Sequence, residues 1–213
     1  MTTDLVLVGC GGFGREVVTI VDAINASGAS WNLVGFVDDR PSRENLERAQ
    51  AIDLPVLGGI EHLSSLLEDG EGKFAVAVGD PAVRRSLADR INRDDRAATL
   101  VDPRAVIGRD VRLGAGVVVG ASAQITTNVE IGRYVHIDRA AQVGHDSLLG
   151  DFTTVHPSAV VSGDCEVGTG VRIGTSATIL PGRRISDHAL IGASACVTRD
   201  VPEGATVRGV PAR

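Results

Sequence analysis

The stretch VSGDCEVGTGVRIGTSATIL, residues 161–180, decides how the second half of this chain folds. Val161, Val167, Ile173 and Ile179 recur every six residues, which neither the 3.6 period of a helix nor the alternation of a strand explains. Followed outward, the register runs from Ile107 to Val197 and meets Ile, Leu or Val at all sixteen positions without an insertion. The next residue is Gly in nine of the sixteen. The residue two places before is small or β-branched almost throughout, Arg183 being the one clear misfit. Short strands joined by sharp turns satisfy this pattern. Three hexads make one 18-residue coil of a triangular prism, the aliphatic side chain points inward, and the whole is a solenoid. Sixteen hexads give a little over five coils, stacked about 4.8 Å apart. So narrow a prism refuses rings, in keeping with an aromatic content of only 3%, and the 26 glycines suggest many tight turns.

The first hundred residues follow another rule. DLVLVG (4–9) is a short apolar run typical of a buried strand, and GCGGFG leads from it into REVVTIVDAINASG, where Val17, Val18, Val21 and Ile24 fall at helical spacing and Gly28 suits the C-terminal cap. LVGFVDD (33–39) and KFAVAVGD (73–80) read as further strands, with a helix opening at Pro81 after a capping Asp80. The natural architecture is a small open parallel sheet with helices. Gly9, Gly11 and Gly14 form G-x-G-x-x-G between strand and helix, and Asp38 and Asp39 end the next strand. Such a loop offers close backbone approach and helix N–H groups to a phosphate, and the acids suit a ribose or a base edge. A dehydrogenase would carry the same signature. Fewer than a hundred residues precede the prism, however, which suits a mononucleotide diphosphate linked to a sugar better than a full dinucleotide. Cys10, within the loop, reads as a small apolar filler rather than a nucleophile.

A net charge of −6, with no basic tract interleaved with aromatics, gives no support to nucleic-acid binding. Three cysteines far apart, no run of eighteen apolar residues and an N-terminus that turns to Gly too early for a signal segment predict a cytoplasmic protein without a membrane span.

Hexad arithmetic places the histidines. His145 lies two residues past inward Val143, at or just after a corner and facing out, with Asp146 beside it. His156 stacks over Asp138 one coil away, and His136, preceding inward Ile137, is expected on the outer surface of a strand. Acyl transfer from a thioester needs a base titrating near neutrality, an acid to orient it and donors for the oxyanion. His145 and Asp146 can fill the first two roles. The alternative is a solvated corner, because neighbours in a turn need not touch. A zinc hydratase would need three converging histidines, one pair of them five residues apart; the spacings here are nine and eleven, so no metal is expected.

The hexads over 102–202 resemble those of the hexapeptide-repeat acyltransferases, whose prism is a left-handed parallel β-helix. The whole chain, through VLVGCGGFGREV, GFVDD, VGDPAVR and VGHDSLLGDFTTVHPSAVVSGDCEVG, resembles the sialic acid O-acetyltransferase and bacterial nucleotide-amino-sugar N-acetyltransferase family. The resemblance implies a Rossmann-like nucleotide-sugar-binding domain over 1–98 and a left-handed β-helix acyltransferase domain with a C-terminal tail over 99–213. It implies acetyl-CoA as cosubstrate and His145 as general base supported by Asp146. It puts Thr154, the Gly163 backbone N–H and Ala193 near the coenzyme, with Arg183 either at the coenzyme's phosphates or in an exposed or intersubunit ion pair. Gly9, Gly11, Gly12, Asp38, Asp39, Arg40 and Asp138 fall to the substrate. Three positions depart from the family pattern: Asp138 stands where some members have Asn, Thr154 where some have a second His, and Ser194 where relatives often have Gly near the coenzyme. The expected assembly is a homotrimer, because one prism cannot close the cleft alone. The expected reaction is acetylation of a sugar amine in bacterial glycan biosynthesis. The alternatives are sugar O-acetylation and a non-catalytic nucleotide-sugar-binding trimer.

Overall fold

The computed structural model describes residues 2–29, 31–67 and 72–213. The chain divides into two compact units, Met1–Leu100 and Val101–Arg213.

In the first unit the buried runs form β1 (Thr3–Val8), β2 (Trp31–Val37) and β3 (Lys73–Val76), all parallel, in the order β2-β1-β3. Helices α1 (Gly12–Ala26), α2 (Arg43–Gln50), α3 (Glu61–Leu67) and α4 (Pro81–Ile91) accompany them. Leu5, Leu7, Phe36 and Phe74 are completely buried at the centre. The expected caps are present. Gly28, at φ 109°, follows the end of α1, and Asp80 Oδ1 accepts from the N–H groups of Ala82 and Val83 at 3.0 and 3.1 Å at the head of α4. Strand order reverses on either side of β1, which opens a crevice beyond the carboxyl ends of the strands.

The second unit is the triangular solenoid that the hexads predict and the left-handed parallel β-helix that the family resemblance implies, with two- and three-residue strands stacked into three parallel sheets. Partners lie eighteen residues apart, as in His136↔Thr154 and Val143↔Val161. From Val119 to Val197 every sixth residue is buried in one continuous core; Ile107 and Leu113, at the first coil, are partly covered. The last coil loses register: Leu190 pairs with Thr206, only sixteen residues on.

The glycines act differently from expectation. The corners turn through a residue at left-handed φ, between 54° and 70°, once every six residues from Asp110 to Ser194; just three of these are Gly, at 116, 170 and 182. The frequent Gly stands instead just after the inward aliphatic residue, where coils approach most closely. A Cβ on Gly150 would lie 2.7 Å from the carbonyl carbon of Gly168, and one on Gly174 would lie 2.7 Å from the amide nitrogen of Ala193. Close stacking, rather than φ, excludes side chains there. His136 also departs from expectation. It is fully buried, as are Val118 and Thr154 at the same place in neighbouring coils. The Phe and Tyr rings of this unit share a corner, where Tyr134 and Phe152 stack 5.3 Å apart with planes 4° from parallel.

Candidate active site

Position 146 is one of the left-handed corners, at φ 59°, and this turns the Asp146 side chain back along the surface toward its neighbour. Asp146 Oδ2 lies 2.6 Å from His145 Nδ1, so the two side chains do meet. The amide of Asn128, one coil below, donates to Asp146 Oδ1 at 2.6 Å. The Asn128 amide first, and His145 second, hold the Asp146 carboxyl below the usual carboxylate range. An ionised carboxylate only accepts, so the imidazole proton resides on Nδ1 and Nε2 presents a lone pair. Among the described residues Nε2 has no hydrogen-bond partner.

The ring is seated on the next coil. A Cβ on Gly163, eighteen residues beyond His145, would come within 2.6 Å of both Cε1 and Nε2. The Gly163 N–H donates to no acceptor among the described residues. At equivalent corners the N–H groups of Arg133 and Thr169 are taken by carboxylates one coil on, Asp151 and Asp187. The residue one coil beyond Gly163 is Pro181, which brings no side-chain acceptor. Beside the dyad runs a groove of about 630 Å³, lined by Asp146, Leu148, Asp164, Glu166, Arg183 and Arg184. Arg183, the hexad misfit, turns out of the prism with its Nε on the Pro181 carbonyl at 3.2 Å and its Nη1 3.9 Å from Asp200, and Arg184 is paired with Glu166. Thr154 is only 1% exposed, and Ala193 is exposed. Asp138 lies against His156 Nδ1 at 3.1 Å, as the eighteen-residue spacing requires.

In the first unit Gly9, Gly11, Gly12, Asp38, Asp39 and Arg40 come together in one cleft of about 750 Å³ at the carboxyl ends of the strands. The glycines divide by cause. Gly9 sits at φ 105° with Val78 Cγ2 2.7 Å from where a Cβ would lie, and a Cβ on Gly14 would overlap the Gly9 carbonyl oxygen, so backbone conformation and close approach require the first and packing the second. Around Gly11 and Gly12 there is open space. The head of α1 has no side-chain cap and no acid in its first turn. Each aspartate already has partners: Asp38 accepts from the Cys10 N–H at 3.0 Å and its thiol at 3.2 Å, and Asp39 from the Ile60 N–H at 2.8 Å and Arg90 at 2.6 Å. The Ile60 amide, then Arg90, keep the Asp39 carboxyl low. Burial, reinforced by Asp38, pushes the Cys10 thiol up to about 12, so it is no nucleophile at neutral pH.

Sequence reading missed two participants. Arg90 closes the face Ala82, Ser86, Arg90 of α4 toward the cleft, and its i, i+4 spacing was the available signal. Asn128 follows from subtracting eighteen from Asp146. Among the described residues no group of three or more His, Cys, Asp or Glu is arranged to hold a metal ion, and no helix is long and apolar enough to cross a membrane.

Residues 4–91 match the family model of the PglD N-terminal domain. No curated protein matches the chain. Among solved structures, a perosamine N-acetyltransferase from Caulobacter crescentus, bound to CoA and GDP-perosamine and carrying Asn in place of one His, is 30% identical. The match covers 100% of this chain and 97% of that one, with a TM-score of 0.86. The acetyltransferase domain of PglB from Neisseria gonorrhoeae, in complex with acetyl coenzyme A, is 29% identical over 100% and 99% of the two chains, with a TM-score of 0.87. WeeI from Acinetobacter baumannii is 27% identical over 100% and 99%, with a TM-score of 0.84. Sequence and fold thus agree over the full length of both units, and the chain belongs to the sialic acid O-acetyltransferase and bacterial amino-sugar N-acetyltransferase family of hexapeptide-repeat acyltransferases.

Proposed function

We propose that this enzyme transfers the acetyl group of acetyl-CoA to an amino group of a nucleotide-activated sugar, with His145 as general base. The observation that carries the reading is the His145–Asp146 pair at 2.6 Å, with Nε2 and the Gly163 N–H beside it both without a hydrogen-bond partner among the described residues. Nε2 accepts a proton as the neutral amine attacks the thioester carbon. The new N–C bond forms, the Gly163 N–H supports the oxyanion, and the C–S bond breaks as the proton passes from His145 to the leaving sulfur. Asp146 keeps the proton on Nδ1 and stabilises the imidazolium between the two transfers. The perosamine N-acetyltransferase, bound to CoA and GDP-perosamine, favours amine over hydroxyl, and the PglB domain, bound to acetyl coenzyme A, supports the acetyl donor.

The open backbone at Gly11 and Gly12, with the uncapped head of α1, suits the diphosphate of the sugar nucleotide, and Asp38, Asp39 and Arg40 line the same cleft. Arg183, on the groove beside Asp146, suits a coenzyme phosphate. On a single chain His145 is 62% exposed, a poor setting for a base that must exclude water, and this supports a homotrimer in which a neighbour covers it. The proposed setting is cytoplasmic glycan biosynthesis.

The test is release of free thiol from acetyl-CoA by the purified protein against UDP-, GDP- and CMP-linked amino and hydroxy sugars, with H145A alongside. Turnover with an amino sugar that disappears in H145A while the assembly survives is the expected result. Turnover that persists in H145A, or that appears only with hydroxy sugars, overturns the reading.

A further inference from the structure

We propose that Asn128 is a positioning residue of the acetyl-transfer site, holding Asp146 from the adjacent coil so that its second oxygen faces His145. The proposal rests on the reading of His145 as the base.

Asn128 and Asp146 occupy the same corner of successive coils, eighteen residues apart, at φ 55° and 59°. Asn tolerates this left-handed region better than most residues, so the corner presents its short amide without strain. The group facing an ionised carboxylate at 2.6 Å has to be the NH₂ end of that amide. Asp146 is therefore clamped between two donors, Asn128 on Oδ1 and His145 on Oδ2. The clamp matters because the Asp146 side chain is 51% exposed and has no packing of its own to choose a rotamer. Without Asn128 the carboxylate can rotate toward water, and the imidazole loses the partner that fixes its tautomer. The other members of this corner's stack at 110, 146 and 164 are Asp and 182 is Gly, so Asn128 is the one that brings it a side-chain donor. A carboxylate at 128 would add a like charge in direct reach of Asp146, whereas the neutral amide supplies a donor.

The test is a double-mutant cycle on kcat with N128A, D146A and N128A/D146A in the intact protein, with N128D as a second variant. Alanine is compatible with the corner, since Ala140 occupies the equivalent turn at φ 57°. Because Asn128 acts through Asp146, N128A should lower kcat about tenfold, a fraction of what general-base catalysis contributes, with the KM for acetyl-CoA unchanged. The double variant should be no worse than D146A alone. N128D should lose at least as much as N128A. In ¹⁵N spectra of the imidazole, the Nδ1–H population of His145 should fall in N128A, a change that a merely structural role would not produce. Wild-type kcat in N128A, losses that multiply in the double variant, or an unchanged imidazole spectrum overturns the proposal. An inactive H145A together with a fully active N128A removes Asn128 alone. An active H145A removes the base reading on which the proposal stands.

Discussion

The imidazole of His145 rests on the backbone of Gly163, its counterpart one coil on, so closely that a Cβ at 163 would lie 2.6 Å from Nε2 and from Cε1. Gly163 is not at a left-handed φ, and the three atoms nearest an added Cβ all belong to the histidine ring. In G163A the exposed ring should swing outward at little cost to stability, within about 0.5 kcal/mol of wild type. Displacement of the base by an ångström should lower kcat on the order of a hundredfold. G144A provides the contrast. Its Cβ would overlap the amide nitrogen of Gly163, which is backbone and cannot move aside, so this variant should lose melting temperature as well as activity. A G163A protein with wild-type kcat would show that the seat is immaterial.

The glycine loop makes a parallel prediction for the nucleotide cleft. Gly11 has φ −65° and ψ −171°, an ordinary extended conformation, and nothing lies within 4 Å of an added Cβ. G11A should therefore melt with the wild type while raising the KM for the sugar nucleotide severalfold, since the methyl group would stand between the backbone N–H groups and a phosphate. G14A should fail differently. Its Cβ would collide with the Gly9 carbonyl oxygen and separate helix from strand, so a lowered melting temperature is expected before any kinetic effect. Equal KM values for G11A and wild type would remove the phosphate from this loop.

The hexad register made most of the second unit legible, because one inward position every six residues is a demand that only aliphatic side chains meet. The same arithmetic placed His156 on Asp138 and, applied to Asp146, would have found Asn128. It did not reveal why Gly is frequent, because close approach between coils leaves the same sequence mark as a turn that requires positive φ. Nor did it show that His136 is buried: position in the hexad indicates that a side chain leaves the prism, not what covers it afterwards. In the first unit the Gly spacing located the cleft, but the partners that Asp38 and Asp39 find within the protein, and the reach of Arg90 from α4, depend on tertiary packing.

Ser147 occupies an inward small position where most coils have Ala or Val, and it is 2% exposed. Its hydroxyl donates to the Ser162 carbonyl at 3.1 Å and accepts from the Cys165 N–H at 3.1 Å, joining two coils. Alanine would fit the volume but leave a buried N–H without its acceptor, at a cost of about 1–3 kcal/mol. For a chain of this length each kcal/mol corresponds to roughly 2–4 °C in Tm. S147A should therefore melt measurably lower in a thermal scan, and an unchanged Tm would mean that the strand edge finds another acceptor.

Asp102, at the start of the solenoid, ties stability to pH. Its carboxylate is 1% exposed and accepts from the backbone N–H of Arg104 at 2.9 Å and from its guanidinium at 2.9 and 2.7 Å. The Arg104 side chain outweighs burial and holds the Asp102 carboxyl below the usual range. Because the folded value is depressed, the stabilisation is complete above the unfolded-chain value of about 3.9 and is lost as pH falls through the lower folded value. Near neutrality it does not vary with pH. D102N removes the titrating group and sets an amide against the guanidinium. It should be less stable at pH 7 by about 1–2 kcal/mol, the exposure of Arg104 limiting the loss. It should also lose less stability than the wild type as pH falls from 5 to 3. Denaturant titrations at several pH values read both effects, and parallel stability curves for the two proteins would rule out Asp102 as a source of acid sensitivity.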